Sequence, residues 1–511
     1  MTSESQGHIS VARPEVDPAA AAAGSPVDLW LRHVPWYAAA HLGPVAVGFA
    51  GLVILPRLLG PAGYGTYSVA LAAATASAAW FGDWLVPAGM RLAPDAGRET
   101  REVWVALAGL SAVAAILAAA AAGALSAAFD PPTAVACAAL ALLGVTSRPL
   151  ASRLRAELRT RAFAAWSLAS SAAAFGAAVG AYIATGSVAA MIGAVAIPPL
   201  VASIWYWAGL VRGGIRYGSG LRWARAAISF GLPIAITGVG GQTLLLGDRY
   251  LLALLRSPAE AGRYVAAYAV AEKLVTFPFA ILFAGMYPLG ARAWARGDHD
   301  AALELLRTIG GLYSLWAGSV VVFLASSGSW LTGAVASKSF QPPGAVPLLV
   351  AGGTWLWYLG ILQHQPLEWA KRTIVITALT LGAAGLNMAL NVALIPGQGA
   401  NGAAVATAAA YTAYLLGVTV VSRQGVAPRV WATVPVILAA MAVTLAYTLW
   451  GGRAGPAHGA VAAIGYLCVL WLARFWSPRD LLTALHSVCG GDTREATDAL
   501  RFSVRTPRPL A

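Results

Sequence analysis

The sequence predicts an all-α integral membrane protein with about 14 transmembrane helices. Of its 511 residues, 59% are hydrophobic and 11% are charged, and the mean hydropathy is +0.68. Apolar runs of about 20 residues, the length needed to cross a ~30 Å hydrocarbon core, recur along the chain. These runs are continuous stretches of Ala, Leu, Val and Gly rather than short alternating segments, which excludes an outer-membrane barrel.

Hydropathy and breaker residues define the predicted spans. They cover residues 36–56, 66–88, 104–128, 133–152, 162–184, 188–211, 226–247, 263–289, 305–326, 344–364, 373–394, 401–421, 430–449 and 457–474. We expect a disordered cytoplasmic leader (1–35), an N-lobe (36–211), an inter-lobe loop (212–225), a C-lobe (226–421), two appended helices (422–476) and a cytoplasmic tail (477–511).

The distribution of basic residues predicts the orientation. The chain carries 34 Lys and Arg residues. With the N-terminus inside, one of them, Lys273, falls within a span and six fall on the outer side, whereas all the others are cytoplasmic. The six outer residues are Arg57, Arg249, Arg256, Arg263, Lys338 and Arg453. This asymmetry favours an even number of spans with both termini inside.

An internal repeat divides the chain into two lobes. Residues 58–72 (LLGPAGYGTYSVALA) match residues 255–269 (LRSPAEAGRYVAAYA) at a constant offset, and the Pro61/Pro258, Gly65/Gly262 and Tyr67/Tyr264 identities are the informative ones. Both copies follow an odd-numbered span on the outer side and are separated by six spans. Such a parallel repeat predicts two lobes of six helices, which is a geometry of alternating-access transporters.

Several function classes are disfavoured. The sequence lacks a GxxxxGK[ST] phosphate loop, an HExxH motif and a Cys/His cluster, so we predict no ATP hydrolysis, metal or cofactor. The longest outer loop, 327–343, holds only Lys338 as a charged residue, which leaves little room for a catalytic site. The net charge of +13 follows from basic cytoplasmic loops, and no nucleic-acid partner is predicted.

Ionisable residues within the spans are the candidate functional residues, because a charge in lipid is costly. Lys273 and Glu272 lie near the middle of the eighth span. They could neutralise each other, but neighbouring residues project about 100° apart on a helix, so we expect them to face different neighbours. We predict that Lys273 lines a central lumen and that Glu272 is a possible ion- or proton-coupling residue.

Five further charged residues are candidates. Arg249 and Arg57 end the first span of each lobe and are predicted lumen cations, although Arg57 could instead snorkel to the interface. Asp248 is a possible coupling residue. Asp83, deep in the second predicted span, is either a coupling residue or part of a salt bridge within the lobe. Arg148 either contacts the substrate or anchors the fourth span at the interface.

Three polar residues have structural interpretations. Asn387 and Asn391 are four residues apart on the eleventh predicted span, and we predict that they form hydrogen bonds between helices. For His364 we favour packing or an interfacial position over a functional role.

Four motifs together resemble polysaccharide-biosynthesis flippases of the Wzx type. They are RLLGPAGYGTYS (57–68), DRYLLALLRSPAEAGRYVAAYAVAEK (248–273), MYPLGARAW (286–294) and NMALNVALIPGQGANGAAVATAAAY (387–411), and the resemblance extends from about residue 36 to 474. The superfamily also contains lipid II flippases and multidrug antiporters. The family has no fixed catalytic signature, so the resemblance implies only a general role for Arg249, Lys273 and Arg57.

The resemblance implies a V-shaped bundle that moves a lipid-linked oligosaccharide from the inner to the outer leaflet of the bacterial cytoplasmic membrane. We expect a monomer that contacts membrane lipids and works with the polymerase and glycosyltransferases of its pathway. Two alternatives stay open: a drug or metabolite antiporter, which would depend on residues such as Asp83 and Glu272, and a membrane polysaccharide polymerase or ligase.

Overall fold

The computed structural model describes residues 26–212, 220–342, 345–422, 436–437, 439 and 455–472. In this part of the chain every long element is an α-helix, and we number them in chain order. They are α1 Pro26–Gly82, α2 Leu85–Asp95, α3 Thr100–Ser126, α4 Pro131–Thr146, α5 Arg148–Ala156, α6 Thr160–Thr185, α7 Val188–Val195, α8 Ile197–Arg212, α9 Gly220–Leu255, α10 Pro258–Ala295, α11 His299–Val335, α12 Val346–Trp369, α13 Thr373–Ser422 and α14 Pro456–Leu472. Short 3₁₀ turns occupy Gly97–Glu99 and Lys338–Phe340.

The predicted membrane-spanning character is confirmed. The described residues contain 10 helical stretches that are long and apolar enough to cross a bilayer. Two of these stretches, of 53 and 50 residues, are each long enough to cross twice. Both contain a glycine in a non-helical conformation, Gly60 in α1 and Gly399 in α13, and each therefore consists of two arms. The twelve resulting crossings correspond to the first twelve predicted spans.

The last two predicted spans are only partly described. Helix α14, of 17 residues, corresponds to the predicted span 457–474. It packs along α11, where the Tyr466 hydroxyl donates to the Ser314 carbonyl oxygen at 3.0 Å. The Ser327 hydroxyl donates to the carbonyl oxygen of Gly455, just before α14, also at 3.0 Å. The predicted span 430–449 lies almost wholly outside the described residues, as does the predicted tail 477–511.

Three predicted spans are each divided into two helices. The divisions fall at residues 83–84, 147 and 196. A proline follows each division within the first three positions of the next helix, at Pro87, Pro149 and Pro198. Proline suits the first turn of a helix, where its missing N–H has no partner to lose, and it disfavours helix in the residue before it. A hydropathy window does not register these breaks.

Two predicted loops are shorter than expected. Helix α1 is described from Pro26, so residues 26–35 of the predicted leader are helical. Likewise α9 begins at Gly220, inside the predicted inter-lobe loop 212–225.

A second repeated feature relates the two halves of the chain. The turn between α5 and α6 and the turn between α12 and α13 each contain one non-glycine residue with positive φ, Leu158 at 52° and Lys371 at 60°. The residue after it, Arg159 or Arg372, donates its amide to the carbonyl oxygen five residues earlier, at 2.9 and 2.8 Å. These helix ends are stereochemically alike. They occupy the same place in the two predicted lobes, after the fourth and the tenth span.

Candidate functional site between the lobes

The two copies of the sequence repeat pack against each other at the predicted outer end of the molecule. A Cβ atom on Gly65, in the second arm of α1, would lie 1.8 Å from the Pro258 carbonyl oxygen. A Cβ atom on Gly262, in α10, would lie 2.0 Å from the Pro61 carbonyl oxygen. Each glycine therefore faces the proline of the other copy, and the contact is reciprocal. Only glycine permits two helix backbones to approach this closely.

Arg57 also joins the lobes at this end. One of its guanidinium nitrogens donates to the Val53 carbonyl oxygen at 2.8 Å, and the other donates to the Ala334 carbonyl oxygen at 2.9 Å. Val53 belongs to the first arm of α1, whereas Ala334 lies in the last turn of α11, in the C-lobe. The arginine thus satisfies a carbonyl group in the last turn of α11, where carbonyls have no partner within their own helix.

Two aromatic contacts complete the closure. The ring of Tyr64, beside the glycine crossing, meets Phe340 of the C-lobe edge-on with a centroid separation of 5.6 Å. The hydroxyl of Tyr250, in α9, donates to the Leu125 carbonyl oxygen near the end of α3 at 2.7 Å. Because these contacts all connect residues of different lobes, the structure is closed at the predicted outer end.

Lys273 extends from the C-lobe towards the N-lobe. Its Nζ atom lies 5.3 Å from the ring centroid of Phe49, in the first arm of α1, and 3.6 Å from the position of a Cβ on Gly48. Among the described residues Lys273 forms no ion pair, and its charge faces an aromatic ring that is itself 40% exposed. The amine therefore lies at the inter-lobe face of α10, and the cation–π contact supplies only part of the stabilisation that a charge needs in a membrane.

Glu272 faces a different set of groups, as expected for adjacent helix positions. Its carboxylate interacts electrostatically with Arg249 and with Tyr268, Tyr358 and Tyr411 of the C-lobe. The alternative in which Glu272 and Lys273 neutralise each other is not what the structure shows.

Arg249 lies beneath the glycine crossing. Its guanidinium carbon is 4.7 Å from the ring centroid of Tyr268. The guanidinium also interacts electrostatically with Asp248 and Glu272 in the C-lobe and with Tyr64 in the N-lobe. Its buried Nε–H has no hydrogen-bond partner within the part of the chain that the structure describes. From the helix rise, Arg249 lies about 9 Å below the turn that joins α9 to α10, and Lys273 about 22 Å below it. The two cations therefore lie at different depths.

Asp248 occupies a different environment from its neighbour. Its carboxylate is fully buried and accepts hydrogen bonds from the hydroxyl groups of Tyr264 at 2.5 Å and Thr407 at 3.3 Å, and from the adjacent backbone amide at 2.7 Å. The hydrogen-bond network extends from Thr407 into the first arm of α13. Asn387 Nδ2 donates to Thr407 Oγ1 at 3.4 Å, and Asn391 Nδ2 donates to Asn387 Oδ1 at 3.0 Å. The predicted hydrogen bond between helices is thus confirmed for Asn387, which joins the two arms of α13.

Asp83 and Arg148 form an ion pair within the N-lobe. Arg148 Nη2 lies 2.8 Å from Asp83 Oδ1, and the two side chains are 35% and 47% exposed. The sequence predicts Asp83 deep in a span, but it lies in the turn between α1 and α2. The lobe-internal salt bridge, one of the two alternatives for Asp83, is therefore present, and it engages Arg148 as well.

His364 belongs to a polar cluster inside the C-lobe. Its Nδ1 atom is 2.6 Å from the Tyr414 hydroxyl, and its Nε2 atom is 3.6 Å from a Glu368 carboxylate oxygen. Glu368 also accepts a hydrogen bond from the Tyr287 hydroxyl at 2.8 Å. Within the described residues no three His, Cys, Asp or Glu side chains are grouped so as to hold a metal ion.

The glycine pair and the aromatic partners of the cations were not predicted as site residues. The Gly65/Gly262 identity was visible in the repeat, but a repeat does not show that its copies touch. Nothing in the sequence marks Tyr268 and Phe49 as partners of the cations, because aromatic residues are common in apolar spans.

The sequence profile of the family described as "Polysaccharide biosynthesis protein" matches residues 54–342, more than half of the chain. No curated protein matches the sequence.

Three solved structures share the fold. The lipid II flippase MurJ in an inward closed conformation has a TM-score of 0.62 at 12% identity, over 86% of this chain and 99% of that one. Two structures described as a multidrug resistance MATE family transporter of the MOP superfamily, one inward-facing and one outward-facing, each have a TM-score of 0.51 at 14% identity. The inward-facing state covers 78% of this chain and 92% of that one, and the outward-facing state 80% and 95%. At these identities the likeness concerns the fold.

Proposed function

The chain belongs to the polysaccharide biosynthesis protein family, and from that membership we propose that it is a flippase for a lipid-linked oligosaccharide. The predicted resemblance is confirmed at the level of the family, and the chain is a multi-pass membrane protein with the fold of MurJ and MATE transporters. In the proposed reaction, a sugar on a polyprenyl-pyrophosphate carrier moves from the inner to the outer leaflet of the bacterial cytoplasmic membrane. No covalent bond is made or broken.

The position of Lys273 is the observation that carries the proposal. A lysine in the middle of the membrane costs about 2.5–3.5 kcal/mol on insertion scales unless it has a partner or a wet surrounding. Here the amine has a phenylalanine ring and no carboxylate partner among the described residues, and it points from one lobe to the other. A pyrophosphate headgroup passing between the lobes would supply the missing counter-charge.

The two cations at different depths fit stepwise passage of an anion. Lys273 would receive the headgroup near mid-membrane, and Arg249 would receive it nearer the outer end. Few cations, each partly engaged by an aromatic ring, allow the anion to leave as well as to bind. The closed outer end must then open, which requires the reciprocal glycine contact to separate.

We assign the possible coupling role to Asp248 rather than to Asp83. Asp248 is fully buried, and its carboxylate ties α9, α10 and the second arm of α13 together. Binding a proton or a small cation would change the charge of this network and so bias the packing of these helices. Asp83 is partly exposed and pairs with Arg148 within the N-lobe, so it does not tie several helices together as Asp248 does.

Reconstitution of the purified protein tests the proposal. Proteoliposomes containing a fluorescent undecaprenyl-pyrophosphate oligosaccharide would be treated with an impermeant quencher to follow its exchange between leaflets. We expect Lys273→Ala to abolish exchange and Lys273→Arg to retain part of it. The control is Lys338→Ala, which removes an exposed lysine at the predicted outer surface. Normal exchange by both Lys273→Ala and Arg249→Ala would refute the assigned roles.

Two other outcomes would replace the proposal. A deletion strain that becomes sensitive to drugs without accumulating inner-leaflet lipid-linked sugar would favour the antiporter; the MATE structures that share the fold are multidrug resistance transporters. Purified protein that lengthens or transfers glycan in vitro would establish a polymerase or ligase. Accumulation of the unflipped lipid-linked sugar would support the flippase.

A further inference from the structure

A cavity opens on the surface of the N-lobe, away from the inter-lobe interface. It has a volume of about 200 Å³ and lies where α5, the turn into α6 and the last turns of α8 meet. Its lining includes Arg153, Arg159, Glu157, Trp205 and Tyr206. The charge distribution of the sequence predicts this end of the lobe to be cytoplasmic, so the cavity lies at the level of the inner-leaflet headgroups.

The cavity carries a net positive charge. Arg153 Nε lies 2.6 Å from a Glu157 carboxylate oxygen, whereas the nearest approach of Arg159 to that carboxylate is 3.9 Å. One carboxylate therefore faces two guanidinium groups. The salt bridge uses the Nε edge of Arg153, and among the described residues neither its terminal nitrogens nor Arg159 has a closer acidic partner. A planar guanidinium with free N–H groups is well suited to binding a phosphate.

The cavity borders an apolar surface that suits acyl chains. Trp205 is 54% exposed, and its neighbours on the outward face of α8, Ile204 and Val201, are 60% and 50% exposed. Tryptophan is enriched where hydrocarbon meets headgroups. On the opposite side, the buried Tyr206 hydroxyl is fixed by donation to the Trp104 carbonyl oxygen at 2.9 Å, so that wall is rigid.

The same turn of the C-lobe lacks these features. Lys371 and Arg372 occupy the positions that correspond to Leu158 and Arg159. The position corresponding to Glu157 is Ala370, so the arginine–glutamate set is confined to the N-lobe. Both turns are basic, as the positive-inside rule expects for cytoplasmic loops, but that rule does not explain why only the N-lobe turn has the glutamate between its arginines.

We propose that this cavity binds the headgroup of an anionic phospholipid of the inner leaflet. The phosphate lies between Arg153 and Arg159, the glycerol contacts Trp205, and the acyl chains lie along the exposed face of α8. Basic pockets beside transmembrane helices on the cytoplasmic side are the general setting for such headgroups. The site is separate from Lys273 and Arg249 and does not depend on the transported substrate.

Native mass spectrometry of the delipidated full-length protein tests the site. It would be titrated with dioleoyl-phosphatidylglycerol and, separately, with dioleoyl-phosphatidylcholine. We expect one saturable phosphatidylglycerol site that phosphatidylcholine does not fill. The double variant Arg153→Gln/Arg159→Gln should raise the apparent Kd about 25-fold, at about fivefold for each arginine. The matched control Lys371→Gln/Arg372→Gln removes two charges from the corresponding turn and should leave the Kd unchanged.

A steric variant keeps the test decisive if the charge variant fails to fold. A Cβ on Gly209, which also lines the cavity, would meet no atom of the described residues within 4 Å, so Gly209→Leu should fold and fill the cavity while retaining both arginines. It should weaken phosphatidylglycerol binding as well. Equal binding of the two lipids, an equal loss in the control, or unchanged binding by Gly209→Leu would overturn the site. Displacement of the lipid by millimolar inorganic phosphate would identify a free-phosphate site instead.

Discussion

A single methyl group at the glycine crossing should shift the protein away from its outer-closed state. In Gly65→Ala the new Cβ would lie 1.8 Å from the Pro258 carbonyl oxygen, and contacts of this kind are essentially never closer than 3.0 Å. Relieving the overlap requires the two helices to separate by at least about 1.2 Å, because carbonyl oxygen and Cβ repel steeply at shorter range. The backbone atoms involved have no flexible side chain through which to relax.

The magnitude follows from the cost of overpacking. Inserting a methyl group into a tightly packed contact costs about 1–3 kcal/mol. This cost applies only while the outer end is closed, so the ratio of outer-closed to outer-open protein should fall by about 5- to 150-fold. The gain in helix propensity from Gly to Ala is about 1 kcal/mol, but it applies equally to both states and does not shift the ratio.

Cysteine accessibility provides the assay. A Phe49→Cys reporter, in a background without the three native cysteines, places a thiol at the inter-lobe face beside Lys273. We expect an impermeant maleimide added to intact cells to label this thiol faster in Gly65→Ala and in Gly262→Ala. The control is Gly63→Ala, whose Cβ would meet, among the described residues, only the Leu59 side chain, at 3.4 Å from its Cβ and 3.8 Å from its Cδ2. Labelling rates in both crossing variants that equal those of the control would refute the reasoning.

Three further predictions concern other parts of the structure. The Asp83–Arg148 pair is substantially exposed, so a double-mutant cycle by thermal unfolding should give a coupling energy of at most about 1 kcal/mol. A coupling energy of about 3 kcal/mol, as in a buried pair, would contradict the observed exposure. Asp248→Leu should lower the Tm more than Asp248→Asn does, because only the leucine leaves the buried Tyr264 and Thr407 hydroxyls without an acceptor. Each unsatisfied hydroxyl costs about 1–3 kcal/mol. Equal Tm shifts in the two variants would argue against the network. Reporter fusions at Gly186 and Lys338 should report the outer side, and a cytoplasmic signal from either would overturn the predicted topology.

Most of the fold could be predicted from the sequence, because its dominant signal is local. Twelve predicted spans correspond to helical crossings, since hydropathy over about 20 residues decides which segments enter a bilayer. The prediction missed the breaks that divide three of the spans into two helices. These breaks are also determined locally, but they leave little trace in the hydropathy of the segment. The helix ends beside Pro87, Pro149 and Pro198 arise from backbone stereochemistry, which an average over a window conceals.

The candidate site was only partly predictable, for a related reason. The sequence identified Lys273, Arg249 and Asp248 as unusual, because any charge in a span is conspicuous. It could not assign their partners. Arg249 and Asp248 are adjacent in sequence, yet one lies over the Tyr268 ring and the other is buried among the Tyr264 and Thr407 hydroxyls.

The sequence by itself determined that the protein is an integral membrane protein, and it located the twelve crossings that lie within the described residues. It also revealed the internal repeat and the charged residues that lie within the spans. Each of these depends on composition or spacing along one segment. Only the tertiary structure decided that the repeat copies meet at Gly65 and Gly262, and that Lys273 faces Phe49 of the other lobe. These contacts join residues about 200 positions apart, and they are set by how whole helices pack rather than by any local preference.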